Sequence, residues 1–214
     1  MALSTASTPS RDFGTRGPLI VGVTGGIGAG KSTLCKVLIS MGFPVYNSDA
    51  EAKRLYGQDA QLRTSVAEEF GQEMFSENGE LNREALANVV FQSEQALAKL
   101  NALVHPAVGR DFAKWAKRLA SRGCTCVFRE AAILFESGAH SQCDKTWTVA
   151  APLPVRLARV MKRSGLSEAE VMRRMSRQWT DEKRANYADE VVVNDGIQPL
   201  IPQVTQLVTK LALK

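Results

Sequence analysis

The segment GGIGAGKS, from Gly25 to Ser32, follows the apolar run LIVGVT (Leu19–Thr24) and precedes a stretch with Leu34, Val37, Leu38 and Met41 at helical spacing. It satisfies G-x-x-x-x-G-K-[ST], and a strand before with a helix after is the setting that makes it a phosphate-binding P-loop. Glycines let the loop curl until several backbone N–H groups point inward at the positive end of the following helix, which forms a nest for an anion. In such a loop the lysine, here Lys31, bridges the β- and γ-phosphates of ATP, and the Ser32 hydroxyl coordinates Mg²⁺ directly.

The rest of the chain alternates short β-branched runs with longer helical stretches. After a helix over Ser32–Met41, Gly42 ends the element and Pro44–Asn47 begins a second strand. Further strands are expected at Cys124–Phe128, Thr146–Ala150 and Val191–Val193, and a last helix over Pro199–Leu211. Strand–helix–strand alternation of this kind predicts a three-layer α/β/α domain on a parallel five-stranded sheet. No strand is expected between Ala60 and Ser121; Asn82 caps a helix through Phe91, Ser93 caps another through Val104, and Pro106 opens a third through Leu119. The predicted organisation is a single domain over 18–214, with its core at 18–59 and 122–214, a helical insertion at about 60–121 and a lid at about 155–180. Residues 1–17, rich in Ser, Thr and Gly, are expected to be a disordered extension.

Two carboxylates are candidates beside the loop. The helix from Lys31 descends about 16 Å and the next strand climbs back about the same distance. Asp49 therefore returns to the level of the P-loop, at the sheet edge where open α/β sheets bind ligands. There it can take a proton from an attacking hydroxyl, help hold the metal, or cap the helix that begins near Ala50. Glu130 follows the strand at Cys124–Phe128, where an acid can hold Mg²⁺ through water or simply be solvated.

The chain carries a net charge of +5 over 214 residues, and the stretch from Arg156 to Arg184 accounts for all of it, with nine Lys/Arg against four Asp/Glu. Such a cluster implies an anionic partner. Arg156, Arg159 and Arg163 share a helical face, and after Gly165-Leu166-Ser167 a second helix carries Arg173, Arg174 and Arg177. Two Arg-bearing helices joined by a short turn have the character of a lid closing over triphosphate; the alternative is a basic face whose arginines pair with neighbouring acids. The charge is not interleaved with aromatics, which argues against a nucleic-acid machine. No Asn-Lys-x-Asp segment reads guanine, which argues against a GTPase, and no apolar run approaches the roughly 18–20 residues of a membrane span. Cys35, Cys124, Cys126 and Cys143 lack metal-finger spacing; Cys124 and Cys126 are expected to share a strand face as free thiols.

Taken together, VGVTGGIGAGKST (21–33), VYNSDAEAK (45–53), LNALVHP (100–106), ILFESG (133–138), RVMKRSGLSEAEVMRRMSRQ (159–178), DEKR (181–184) and ADEVVVNDG (188–196) resemble the dephospho-coenzyme A kinase family, in order and over nearly all of Leu19–Leu211. The resemblance implies transfer of the ATP γ-phosphate to the ribose 3′-hydroxyl of dephospho-coenzyme A, the last step of coenzyme A synthesis, with Mg²⁺ as cofactor. It implies that Asp49 is the general base. It also implies ATP contacts from Gly26, Gly28, Ala29, Gly30, Lys31, Ser32 and Thr33, and catalytic lid arginines at Arg159 and Arg163. Arg174 matches a further lid arginine, and Asn194 falls in the turn that surrounds adenine. The helical insertion is implied to receive the pantetheine-bearing substrate. His105 lies there as a lone histidine before a proline and is read as structural. The expected protein is cytoplasmic, a monomer or weak homo-oligomer, with ATP and dephospho-coenzyme A as partners and neither nucleic acid nor membrane. The chain departs from the family pattern at Asn47, where an aspartate is usual, at Ala132, where a proline is usual, and at Ser164, where an acid often follows the arginine. The rival reading of the residues is another P-loop kinase acting on a nucleoside monophosphate or a metabolite hydroxyl.

Overall fold

A computed structural model describes residues 17–212, so the N-terminal extension expected over 1–17 lies, apart from Gly17, outside the described residues. Five strands form one all-parallel sheet: β1 (Leu19–Gly25), β2 (Val45–Asn47), β3 (Cys126–Glu130), β4 (Lys145–Ala150) and β5 (Glu190–Val193), in the order β2-β3-β1-β4-β5. The first strand is thus the central one, and the chain steps off it to opposite sides on reaching β3 and β4. A sheet with that switch binds ligands at the carboxyl ends of its strands beside the switch point.

One face of the sheet is covered by α1 (Lys31–Ser40) and α9 (Leu200–Ala212), which bury Val21, Val23, Phe128, Trp147, Val149 and Val192 with Leu34, Leu38 and Val204. Against the other face, at the β2–β3 side, stands a helical block: α2 (Ser48–Gln58), α3 (Ala60–Phe70), α4 (Arg83–Phe91) and α5 (Glu94–Ala120). Its core joins Tyr46 and Val127 of the sheet to Leu55, Leu62, Val66, Leu86, Val104 and Phe112. Three further helices, α6 (Leu153–Ser164), α7 (Glu168–Met175) and α8 (Asp181–Tyr187), connect β4 to β5.

Three expectations change. The two helices predicted over Ser93–Leu119 are one, because α5 runs without a break through Pro106. A proline in a helix interior costs about 3 kcal/mol. Here it is offset by a continuous buried stripe of Leu100, Val104, Ala107, Val108, Phe112 and Ala116, which only an unbroken helix presents to one core. The third strand is shifted by two residues, beginning at Cys126 where Cys124 was expected and ending at Glu130 where Phe128 was expected. Cys124 and Cys126 consequently do not share a face: the first packs against the helical-block core and the second against the α1/α9 core. All four cysteines are free thiols.

Candidate active site

The loop between β1 and α1 takes its shape from glycines at positive φ. Gly28 (φ 82°) and Gly30 (φ 101°) both lie in the left-handed region, and neither has room for a Cβ. At Gly28 that atom would stand 2.6 Å from the Arg156 carbonyl oxygen, and at Gly30 1.9 Å from Asn194 Nδ2. Gly30 also caps α1, so the helix opens on unpaired N–H groups beside Lys31 and Ser32.

Other elements hold the loop's outer surface. Arg156 Nε donates to the Ile27 carbonyl at 2.9 Å, and the Ile27 N–H donates to Gln178 Oε1 at 2.9 Å. Asn194 Nδ2 donates to the Ala29 carbonyl at 2.8 Å, while Arg159 Nη1 donates to the Asn194 carbonyl at 2.9 Å. Behind Arg156 a chain of charge runs inward: Arg156 pairs with Asp181, Asp181 with fully buried Arg184 at 2.8 Å, and Arg184 with Glu136 at 3.7 Å. Two arginines counted in the basic stretch, Arg156 and Arg184, are therefore paired struts inside the protein. Charge counting along the chain does not see burial. Gln178, whose Nε2 also donates to the Ala132 carbonyl at 3.4 Å, was not singled out from sequence. It closes the segment 159–178 quoted for the resemblance, two residues before the Thr180 cap of α8, and only the fold brings it to Ile27.

Inside the loop is a cavity of about 330 Å³ lined by Gly26, Gly28, Gly30, Lys31, Ser32, Thr33, Asn47, Asp49, Glu130, Arg159, Val160 and Arg163. It collects most of the residues expected from sequence. Lys31 Nζ donates to the Gly25 carbonyl at 3.0 Å. Burial lowers its pKa below the usual lysine value, opposed by the charges of Glu130 and then Asp49. Glu130 is 6% exposed; burial raises its pKa, Lys31 pulls it down, and Asp49 pushes it up again. Lys31, Glu130 and Asp49 thus act on one another electrostatically around one cavity. Asp49 itself is exposed to the cavity.

The capping reading of Asp49 is overturned. Asn47 is the cap of α2, its Oδ1 accepting from the Ala50 N–H at 2.8 Å, and Asp49 sits inside the first turn. An asparagine caps as well as an aspartate, so the departure at position 47 preserves the helix start and leaves the Asp49 carboxylate facing the cavity. Ala132 keeps its carbonyl for Gln178, and the Ser164 hydroxyl bonds back to the Val160 carbonyl at 2.8 Å. The structure does not bring Arg174 to the cavity. With Glu170, Arg173 and Arg177 it lines a separate surface depression of about 550 Å³ on α7. His105 lies within α5, its pKa lowered by burial and then by Arg129, and it is no part of the cavity lining.

Comparisons with known proteins agree along the chain. The family model described as dephospho-CoA kinase matches residues 19–199. A dephospho-CoA kinase of Chlorobaculum tepidum is 41% identical over 195 residues, covering 89% of this chain and 93% of its own length. A Thermus thermophilus crystal structure superposes with a TM-score of 0.77 at 35% identity, over 92% of this chain and 98% of that one. A dephospho-CoA kinase of Campylobacter jejuni shares the fold, with a TM-score of 0.66 at 22% identity over 90% and 96% of the two chains.

Proposed function

This chain belongs to the dephospho-CoA kinase family, and we propose that it transfers the γ-phosphate of ATP to the ribose 3′-hydroxyl of dephospho-CoA, with Asp49 as the general base. The observation that carries this reading is that the Asp49 carboxylate, released from capping by Asn47, lines the same cavity as Lys31 and the glycines of the loop.

The geometry supports a division of roles. The N–H groups at the start of α1 and the Lys31 ammonium face the phosphates of ATP. Asp49 accepts the proton of the 3′-hydroxyl as that oxygen attacks the γ-phosphorus, and ADP leaves. Arg159 and Arg163 line the cavity from α6, where their guanidinium groups meet charge spread over the transferring phosphoryl oxygens. Asn194, bonded to Ala29, borders the loop on the side assigned to the nucleoside. The polar donors here are a hydroxyl and a carboxylate, Ser32 and Glu130, which suits a hard cation that keeps most of its coordination for water and phosphate. No group of three or more ligating His, Cys, Asp or Glu side chains converges among the described residues. Ser32 would hold Mg²⁺ directly and Glu130 through water; when bound, the ion neutralises phosphate charge.

The test is incubation with ATP, Mg²⁺ and dephospho-CoA, following ADP release and product mass against a control without acceptor. The expected result is acceptor-dependent ADP and a product one phosphoryl group heavier. ADP released equally without acceptor overturns the assignment.

A further inference from the structure

Among the described residues, Arg129 is an interior cation without a counter-ion. It lies on β3 in register with Tyr46 and Gly22, on the face of the sheet opposite Glu130, and is 3% exposed. Its guanidinium is met by neutral groups among the described residues. Nε donates to the Ser48 hydroxyl at 3.4 Å and Nη1 to Gln142 Oε1 at 2.6 Å, and the Phe112 ring lies 4.7 Å from the guanidinium carbon. Among the described residues no carboxylate pairs with it. The titratable groups around it are uncharged at neutral pH: Tyr46 and Cys143 are pushed upward by burial, Cys143 to about 11, and His105 is pushed downward. Burial also lowers the pKa of Arg129 itself. A charge taken from water without a partner carries a heavy desolvation cost; the other arginines buried to this degree, Arg156 and Arg184, each have an acid.

The position of this charge gives it a use. Ser48 immediately precedes Asp49 and Gln142 is exposed, so one neutral partner of the guanidinium adjoins Asp49 in the chain and the other reaches the surface. Nη2 donates to no described residue and is not among the side-chain atoms sealed from solvent without a partner. We infer that Arg129 is the anion-recognising residue of the acceptor site, meeting a phosphate oxygen of the dephospho-CoA diphosphate in place of the Gln142 amide oxygen. The inference rests on the acceptor assigned above. Asp49 then takes the ribose end of the acceptor while Arg129 takes its phosphate end, which selects against acceptors that bear a hydroxyl and no phosphate.

Two variants test it. Arg129→Met removes the charge but opens the interior. Gln142→Glu changes an exposed residue, gives Arg129 an internal carboxylate and leaves the fold intact, so it blocks the anion without depending on the stability of the first variant. Steady-state kinetics with ATP and dephospho-CoA, each varied in turn, are read for both. The expected result is a rise of about ten- to hundredfold in KM for dephospho-CoA, the range of a lost charge-assisted hydrogen bond, with KM for ATP and kcat at saturation unchanged. A Gln142→Glu protein whose KM for dephospho-CoA equals that of the unsubstituted protein overturns the inference, as does an equal rise in both KM values. Absence of turnover in the unsubstituted protein strikes the reaction itself, a different pattern from either.

Discussion

The two sides of the sheet's carboxyl edge are built by different means. On the donor side the ligand-facing surface is backbone, bent by glycines at 28 and 30 and braced from behind by Arg156, Gln178 and Asn194. On the acceptor side the anion site inferred above is made of side chains, brought together from β3, the start of α2, α5 and the 139–142 turn: the buried Arg129, Ser48 and Phe112 and the exposed Gln142. A backbone nest needs a short contiguous motif, because its parts are consecutive residues. A side-chain site has parts 81 residues apart, as Arg129 and Ser48 are, and leaves no run of letters in the sequence.

The comparison breaks most sharply on a pair of substitutions. Asp49→Asn should lower kcat by roughly 10²–10⁴-fold, the usual range for a lost general base, with ATP affinity by calorimetry unchanged. Lys31→Met should lose rate and ATP affinity together. Near-normal turnover in the asparagine variant would remove Asp49 from the chemistry.

A smaller effect separates bracing from contact. Gln178→Leu strips the Ile27 N–H of its acceptor without touching the cavity lining. It should raise KM for ATP about tenfold and destabilise the protein by about 1–3 kcal/mol, while KM for dephospho-CoA stays put. Equal shifts in both KM values would mean that the two sides are not independently built.

The smallest effect concerns the carboxylate between them. The pKa of Glu130 is raised above the ordinary 4.5 by burial. The folded chain therefore binds this proton more tightly than the unfolded chain, and the site's contribution to stability falls as pH rises from 4.5 through the raised value. Glu130→Gln removes that titration, so the melting temperature should decline less between about pH 4.5 and pH 7 than in the unsubstituted protein. Parallel profiles would show that Glu130 does not titrate in this window.

How much of this was legible follows the same division. The P-loop was readable residue by residue, and helix and strand rises alone returned Asp49 to its level, because both depend on local geometry. What was hidden depended on burial and partners. Pro106 looked like a helix start until its neighbours Val104, Ala107 and Val108 proved to share one core. Arg156 and Arg184 counted toward a basic surface cluster because Asp181 and Glu136 are invisible as partners in a charge count. Arg174 was placed by resemblance to the lid and lies away from the cavity. Arg129 did leave a signal: a cation directly after the apolar Cys-Val-Phe of a strand is expensive unless something requires it.

The bracing of the loop also orders events during synthesis. Ile27 is held through its carbonyl by a residue 129 positions later and through its N–H by one 151 positions later. The sheet neighbours of the strand before it are likewise downstream, beginning at Cys126 and Lys145. A ribosome thus delivers the whole nucleotide motif early, yet the motif stays without its supports until the chain through Gln178 has emerged. The nucleotide loop is thus translated long before the residues that finish it.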